Sequence, residues 1–222
     1  MMNQISQERI STPHSSWLVR ALANIVSILF HPLFIPTYIC FFLLYLHPFA
    51  FAGASDLYKK IKLASIFTST AFFPAFTVFM LRRLGFISSI HLRTQKDRII
   101  PIVASMVFYF WIFYVTKNQG GNPSELIQML CATFVSTIIA LTANNFMKIS
   151  LHAIAMGVLV GFFVHLAWVS FIPMGLPMMV AILVAGLVGS ARLALGEHTA
   201  KELVTGFVTG LVSMAISVWV VG

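Results

Sequence analysis

Long apolar runs separated by short polar segments make up almost all of this chain. Each run approaches the roughly 20 residues that an α-helix needs to cross a lipid bilayer. The pattern therefore predicts an all-α, polytopic membrane helix bundle with six to seven spanning helices. The predicted spans cover approximately residues 33–51, 63–81, 99–115, 126–143, 151–171, 177–195 and 199–221.

The segment that precedes the first span has a different pattern. Between residues 16 and 30 the apolar residues recur at helical spacing, with Arg20, Asn24 and Ser27 on the opposite side. An amphipathic helix of this kind lies in the membrane interface rather than across the bilayer. Residues 1–15 are polar and are predicted to form a flexible tail, so residues 16–222 make up a single membrane-embedded domain.

Composition and charge exclude several classes of protein. The chain has 222 residues, of which 59% are hydrophobic and 9% charged, and this composition excludes an ordinary soluble domain. A net charge of +8 would suit a nucleic-acid-binding protein, but the basic residues lie between apolar runs, where the positive-inside rule places them. We therefore expect an integral protein of the cell (inner) membrane without a nucleic-acid partner. Cys40 and Cys131 lie inside apolar runs, which indicates helix packing rather than a disulfide.

The segment between the last two apolar runs concentrates polar side chains. Arg192, His198 and Glu202 lie there, with five residues between the first two and three between the last two. Ionisable groups next to membrane-spanning helices are costly and indicate a functional site. Thr199 and Glu202 also match a capping box, which explains these two residues structurally but leaves the histidine unexplained.

Two more polar segments carry candidate residues. Residues 148–152 contain Lys148, Ser150 and His152, although Ser150 is also well placed to cap the following helix. A positive-inside loop would account for the most basic segment, which precedes the third span, so some of its cations have only that role. Its candidate working cations, in descending order, are Arg98, Lys96 and Arg93.

The number of membrane crossings places the three polar segments together. Each segment is separated from the next by two spans, so all three emerge on the same face of the bundle and can form one site.

Three other histidines lie in different sequence environments. His31 and His47, beside prolines, are interpreted as membrane-interface residues, and His165 as a core or cavity residue.

The combination of arginines, two histidines and one carboxylate suits phosphoryl transfer. Arginine binds phosphate oxygens bidentately and neutralises charge that develops in the transition state. One histidine could attack phosphorus, the other could protonate the departing oxygen, and the carboxylate could hold the tautomer of the nucleophile. No Cys/His pair or carboxylate cluster has the spacing of metal ligands, so neither a metal nor another cofactor is predicted.

The polar segments resemble the signatures of the type 2 phosphatidic acid phosphatase superfamily, a family of membrane lipid phosphatases. That family carries K-x6-R-P, then P-S-G-H, then S-R-x5-H-x3-D. Here Arg192-x5-His198-x3-Glu202 matches the third signature, with glutamate for the aspartate and Ala191 for the serine. The resemblance extends over approximately residues 96–210.

The other two signatures are matched in part. The second is matched at Ser150 and His152. The first is matched at Arg98, which is followed by Ile-Ile-Pro instead of directly by proline, and His91 stands where the family has lysine.

The resemblance implies a metal-independent phosphatase that acts through a phosphohistidine intermediate. It implies that His198 is the nucleophile, Glu202 its orienting partner and His152 the general acid. Since glutamate is one methylene longer than aspartate, the hydrogen bond to the nucleophile must be rebuilt. Phosphatidate, phosphatidylglycerol phosphate and a polyprenyl diphosphate are all admissible lipid substrates. The implied phosphate-binding residues are Arg98, Arg192, Lys96, Ser150 and Lys148, with Lys96 or Lys148 in place of the family lysine.

A second class of function uses the same residues. A non-catalytic membrane transporter or scaffold could bind an anionic lipid head group through these cations.

Two indications of the side of the membrane on which the site lies disagree. The excess of lysine and arginine on the side of the site indicates the cytoplasm, whereas the family usually places its site outside. Without the candidate site residues, the two sides carry nearly the same number of cations.

Overall fold

In the computed structural model, residues 16–87 and 94–222 are described. This part of the chain is α-helical and contains no strand, and seven of its helical stretches are long and apolar enough to cross a membrane. The predicted all-α polytopic bundle is confirmed, and the chain is an integral membrane protein. The predicted flexible tail, His91 and Arg93 lie outside the described residues. The seven stretches are Trp17–Leu46, Asp56–Arg83, Gln95–Asn118, Ser124–Ala143, Leu151–Val169, Gly175–Ala194 and Ala200–Val221.

Prolines interrupt the first stretch and end it. His31 precedes Pro32 and His47 precedes Pro48, and both histidines are extended because the residue before a proline avoids the α-helical conformation. The predicted division after residue 30 is therefore confirmed, and the first span ends at Leu46 rather than at residue 51. The interfacial position of the N-terminal helix stays a prediction. The segments are α1 (Trp17–Leu29), a 3₁₀ turn (Pro32–Phe34), α2 (Ile35–Phe41) and a π turn (Phe42–Leu46).

Two later helices begin earlier than predicted, because each has a capped N-terminus. The Ser55 hydroxyl accepts a hydrogen bond from the backbone N–H of Tyr58, and the Thr94 hydroxyl accepts one from that of Asp97. The cations just before the predicted starts of the second and third spans are therefore helical. They are Lys59, Lys60, Lys62, Lys96 and Arg98. The helices are α3 (Asp56–Phe67), which continues through a π turn (Thr68–Phe72) into α4 (Phe73–Arg83), and α5 (Gln95–Asn118).

The remaining four helices form most of the packed interior. They are α6 (Ser124–Ala143), α7 (Leu151–Val169), α8 (Gly175–Ala194) and α9 (Ala200–Val221). Helix α7 packs against both α8 and α9, α9 also packs against α6, and α1 lies on α8. Cys40 and Cys131 are buried and unpaired, in agreement with the packing role predicted for them. The large apolar side chains on the outside of the bundle are exposed, as expected of a surface that faces lipid.

Glycines let α7 and α9 run parallel at backbone contact distance. A methyl group on Gly210 would collide with the carbonyl oxygen of Ile154, and one on Gly157 would collide with that of Phe207. Small residues at such contacts allow two membrane helices to approach closely. Because the two helices are parallel, their N-termini lie side by side at one end of the bundle.

The variant Gly210→Ala is expected to destabilise the protein by about 1–3 kcal/mol, since the added methyl group forces two backbones apart. Thermal unfolding of the detergent-solubilised protein measures this effect as a lower Tm. Gly186→Ala on α8 is the matched control, because nothing lies within 4 Å of the added Cβ there. Equal changes of Tm in the two variants would contradict the proposed contact.

Candidate functional site

The three polar segments meet at the end of the bundle where α5, α7 and α9 begin. Nη1 of Arg98 donates a hydrogen bond to the backbone carbonyl of Ile149 at 2.9 Å. Nζ of Lys148 donates to the backbone carbonyl of Glu197 at 3.3 Å. These two contacts join the start of α5 and the turn between α8 and α9 to the loop before α7. The segments therefore share one face, as the count of crossings predicted.

A glutamate orients His198. Nδ1 of His198 lies 3.0 Å from Oε2 of Glu202, and the same oxygen accepts a hydrogen bond from the backbone N–H of Thr199 at 3.0 Å. The Thr199 hydroxyl in turn accepts from the backbone N–H of Glu202, which completes the predicted capping box. One carboxylate thus caps α9 and holds the imidazole. Because a carboxylate only accepts, Nδ1 carries a proton, and in the neutral ring Nε2 keeps its lone pair.

The surroundings of His198 favour the neutral ring. Burial lowers the pKa of His198 from 6.5 to about 4, and the charges of Arg192 and Arg98 also lower it, whereas the hydrogen bond to Glu202 raises it. The side chain is only 2% exposed, in agreement with burial as the main cause. At neutral pH the imidazole is therefore uncharged and has one nucleophilic nitrogen.

The imidazole of His198 is expected to stay neutral from about pH 8 down to about pH 5, the interval in which an unperturbed histidine gains its proton. NMR of detergent-solubilised protein with isotope-labelled histidine measures this protonation through the ring chemical shifts. The signal that disappears in His198→Gln identifies the residue. A titration midpoint near the ordinary value of 6.5 would contradict the burial effect.

Arg192 offers a buried hydrogen-bond donor to a ligand. Its Nη2 lies 3.6 Å from Oε2 of Glu197, a weak ion pair. Its Nε is buried and has no hydrogen-bond partner among the described residues. An unsatisfied buried donor is costly, and a charged one more so. The positive charge of Arg192 also acts electrostatically on His152 and His198.

Lys148 brings a third cation to the same place. Burial lowers the pKa of Lys148, and the positive charges of Arg98 and Arg192 lower it further, whereas Glu197 and Glu202 raise it. Cations that are crowded at a partly buried position repel each other, and a bound anion relieves that repulsion. The electrostatics of the site therefore favour a ligand with negative charge.

Two of the predicted phosphate-binding residues are not brought into this arrangement. Ser150 is fully buried, and its hydroxyl accepts a hydrogen bond from the backbone N–H of Ala153, which makes it the N-cap of α7. Lys96 is exposed in the first turn of α5. Within the described part of the chain, it is not among the charged groups that act on Lys148 or His198.

His152 lies beside the cations and is anchored to α1. Its Nε2 is 3.1 Å from the backbone carbonyl oxygen of Ser27. Since a carbonyl only accepts, Nε2 carries a proton, and Nδ1 is the nitrogen left for the site. The N-terminal helix thereby fixes the orientation of a candidate catalytic residue.

His31, which was interpreted only as a membrane-interface residue, also belongs to this region. Its ring centroid lies 5.2 Å from that of His152, with the two rings edge to face. Arg192 acts on it electrostatically as well. The count of crossings could have found this residue, because the turn before the first span emerges on the same face as the three polar segments.

A cavity of about 130 Å³ extends from this region into the bundle. His31 and Leu151 line it beside the polar groups, and Tyr109, near the middle of α5, lines it further along. Its lining is mostly apolar, with a few hydroxyl groups. The space that begins at His31 is therefore suited to part of a hydrocarbon chain.

The described residues contain no group of three or more His, Cys, Asp or Glu side chains that could hold a metal ion. In comparisons with known proteins, no family model matches this sequence, and no match was found among curated proteins or solved structures. The assignment of a function therefore depends on the chemistry of the site.

Proposed function

We propose that this protein is a metal-independent phosphatase that hydrolyses a phosphomonoester or diphosphate of a membrane lipid through a phosphohistidine intermediate. The observation that carries the proposal is the His198–Glu202 pair next to Arg192, whose buried Nε has no partner within the described residues. A neutral imidazole supplies the nucleophile, and the guanidinium supplies a place for the phosphate oxygens.

In the first half of the reaction, Nε2 of His198 attacks phosphorus and the bond from phosphorus to the leaving oxygen breaks. The ring becomes positively charged, and the hydrogen bond from its Nδ1 to Glu202 stabilises that charge. Arg192 and Arg98 neutralise the charge on the phosphoryl oxygens in the transition state. Water then attacks the phosphohistidine, which releases inorganic phosphate and restores the neutral ring.

His152 is proposed as the general acid, acting through Nδ1. Its Nε2–H is held by the carbonyl of Ser27, which restrains the rotation of the ring. The negative phosphate group that binds beside it favours the doubly protonated ring that this step requires. After giving its proton to the leaving oxygen, the same nitrogen accepts one from the attacking water.

The location of the site supports a lipid substrate. The polar groups lie at one end of the membrane-spanning helices, and the apolar cavity begins beside them. A head group at that depth has its hydrocarbon tail among the helices. Phosphatidate, phosphatidylglycerol phosphate and polyprenyl diphosphate are the proposed substrates, in the cell (inner) membrane.

An assay of phosphate release tests the proposal. Purified protein in detergent is given each of the three lipid phosphates in the presence of EDTA, and inorganic phosphate is measured. Turnover that EDTA leaves intact supports a metal-independent enzyme. Saturable binding of the lipids without any release would instead support the second candidate, a non-catalytic transporter or scaffold that binds anionic head groups.

A further inference from the structure

The protonation pattern of His31 leaves one hydrogen-bond donor unused. Its Nδ1 accepts a hydrogen bond from the backbone N–H of Leu33 at 3.4 Å, which caps the 3₁₀ turn before α2. Nδ1 therefore carries the lone pair, and in the neutral ring Nε2 carries the proton. Among the described residues, Nε2 has no hydrogen-bond partner. Capping the turn thus uses only one of the two ring nitrogens.

The position of the ring indicates what this donor contacts. On one side, His31 meets the ring of His152 edge to face, and Arg192 acts on it electrostatically. On the other side, it lines the apolar cavity together with Leu151 and Ile154. The ring therefore lies at the boundary between the polar groups and the space suited to a hydrocarbon chain.

We infer that His31 is a substrate-binding residue, which donates a hydrogen bond from Nε2 to the oxygen that links the phosphate to the lipid. This inference rests on the proposed function for the identity of its ligand. With the phosphate among the polar groups beside His152 and the tail in the cavity, the linking oxygen lies at their boundary, where the His31 ring stands. A neutral imidazole donor raises the affinity for the lipid phosphate without adding another positive charge to a crowded group of cations.

Binding of phosphatidate to two His31 variants tests the inference. His31→Phe keeps a ring against His152 and the cavity but removes the donor, and His31→Gln restores a donor. We expect His31→Phe to weaken the binding of phosphatidate by up to about tenfold, since one hydrogen bond is lost. His31→Gln is expected to recover part of that loss. The binding of phosphatidate is titrated by its effect on the intrinsic fluorescence of the detergent-solubilised protein.

His47→Phe is the matched control. His47 also precedes a proline and also caps a turn through Nδ1, which accepts from the backbone N–H of Ala50 at 3.0 Å, but it follows the first span at the other end. Its replacement should leave phosphatidate binding unchanged. The Tm of every variant shows whether it is folded. If His31→Phe folds poorly, His31→Leu takes its place in the comparison with His31→Gln.

The outcomes separate this inference from the proposed function. Unchanged binding in His31→Phe, or no saturable binding of phosphatidate by the wild type, would overturn the role of His31. Weaker binding in His31→Phe together with no phosphate release by the wild type would overturn the phosphatase and leave the His31 contact in place. Weaker binding that His31→Gln does not improve would show that the ring, and not its donor, is required, which also overturns the inference.

Discussion

The variant His198→Ala is expected to lower phosphate release from a lipid phosphate by about a thousandfold or more, because it lacks the nucleophile of the proposed reaction. The hydrogen bond from Nδ1 to Glu202 leaves Nε2 as the one nitrogen able to attack, so there is no alternative atom on the same ring. The rate of phosphate release is measured in detergent and in EDTA, with the wild type beside it. Lipid binding should change little, since the phosphate oxygens still meet the arginines.

His165→Ala is the matched control for that experiment. His165 also forms a side-chain hydrogen bond, from Nε2 to the Gln128 side chain at 2.9 Å, but it lies near the C-terminal end of α7, away from the site. Its removal should leave the rate within a few fold of the wild type. Labelling with a phosphate-labelled lipid should give a base-stable, acid-labile phosphoprotein that His198→Ala does not form. A His198→Ala rate close to that of the wild type would exclude the assigned nucleophile.

The helices of the bundle could be predicted from the sequence because their signal is local. An apolar run of membrane length leaves few alternatives to a spanning helix. The first residues of the helices were harder to predict, because a capped helix begins with a polar turn, which a hydropathy pattern assigns to a loop. Ser55 and Thr94 each extend a helix in this way, and they place Lys62 and Arg98 inside helices. The capping box at Thr199 was predicted correctly, since its residues lie three apart.

The same distinction between local and distant contacts explains which parts of the site were predicted. His198 and Glu202 are four residues apart, so their pairing could be inferred from the spacing of the motif. The bond between His152 and Ser27 joins residues 125 positions apart, and nothing in the local sequence indicates it. His31 has no local pattern either: the count of crossings places it on the face of the site, and only the fold brings its ring next to that of His152. Ser150 fits both a signature and an N-cap, and the structure shows the cap, since its hydroxyl accepts a hydrogen bond from the backbone N–H of Ala153.

Replacing Arg192 is expected to reduce catalysis while leaving the fold at least as stable. Arg192→Ala should lower kcat/KM for a lipid phosphate by about a hundredfold to a thousandfold, the usual cost of one donor to developing negative charge. Arg192→Lys should recover only part of that loss, because lysine keeps the charge but not the planar pair of donors. The Tm should not fall, since Nε is buried without a partner in the described residues and the ion pair with Glu197 is long and partly exposed.

Arg83→Ala provides the comparison, because Arg83 is an exposed cation at the end of the second span, on the same face as the site. Its guanidinium lies over the Phe79 ring at 5.4 Å and has no place in the proposed reaction, so kcat/KM should stay near the wild-type value. A lower Tm with an intact rate in Arg192→Ala would assign Arg192 to the cap of α8. Loss of rate with an unchanged or higher Tm is the result expected when a protein keeps a costly buried charge for its ligand, since residues selected for function are often unfavourable for stability.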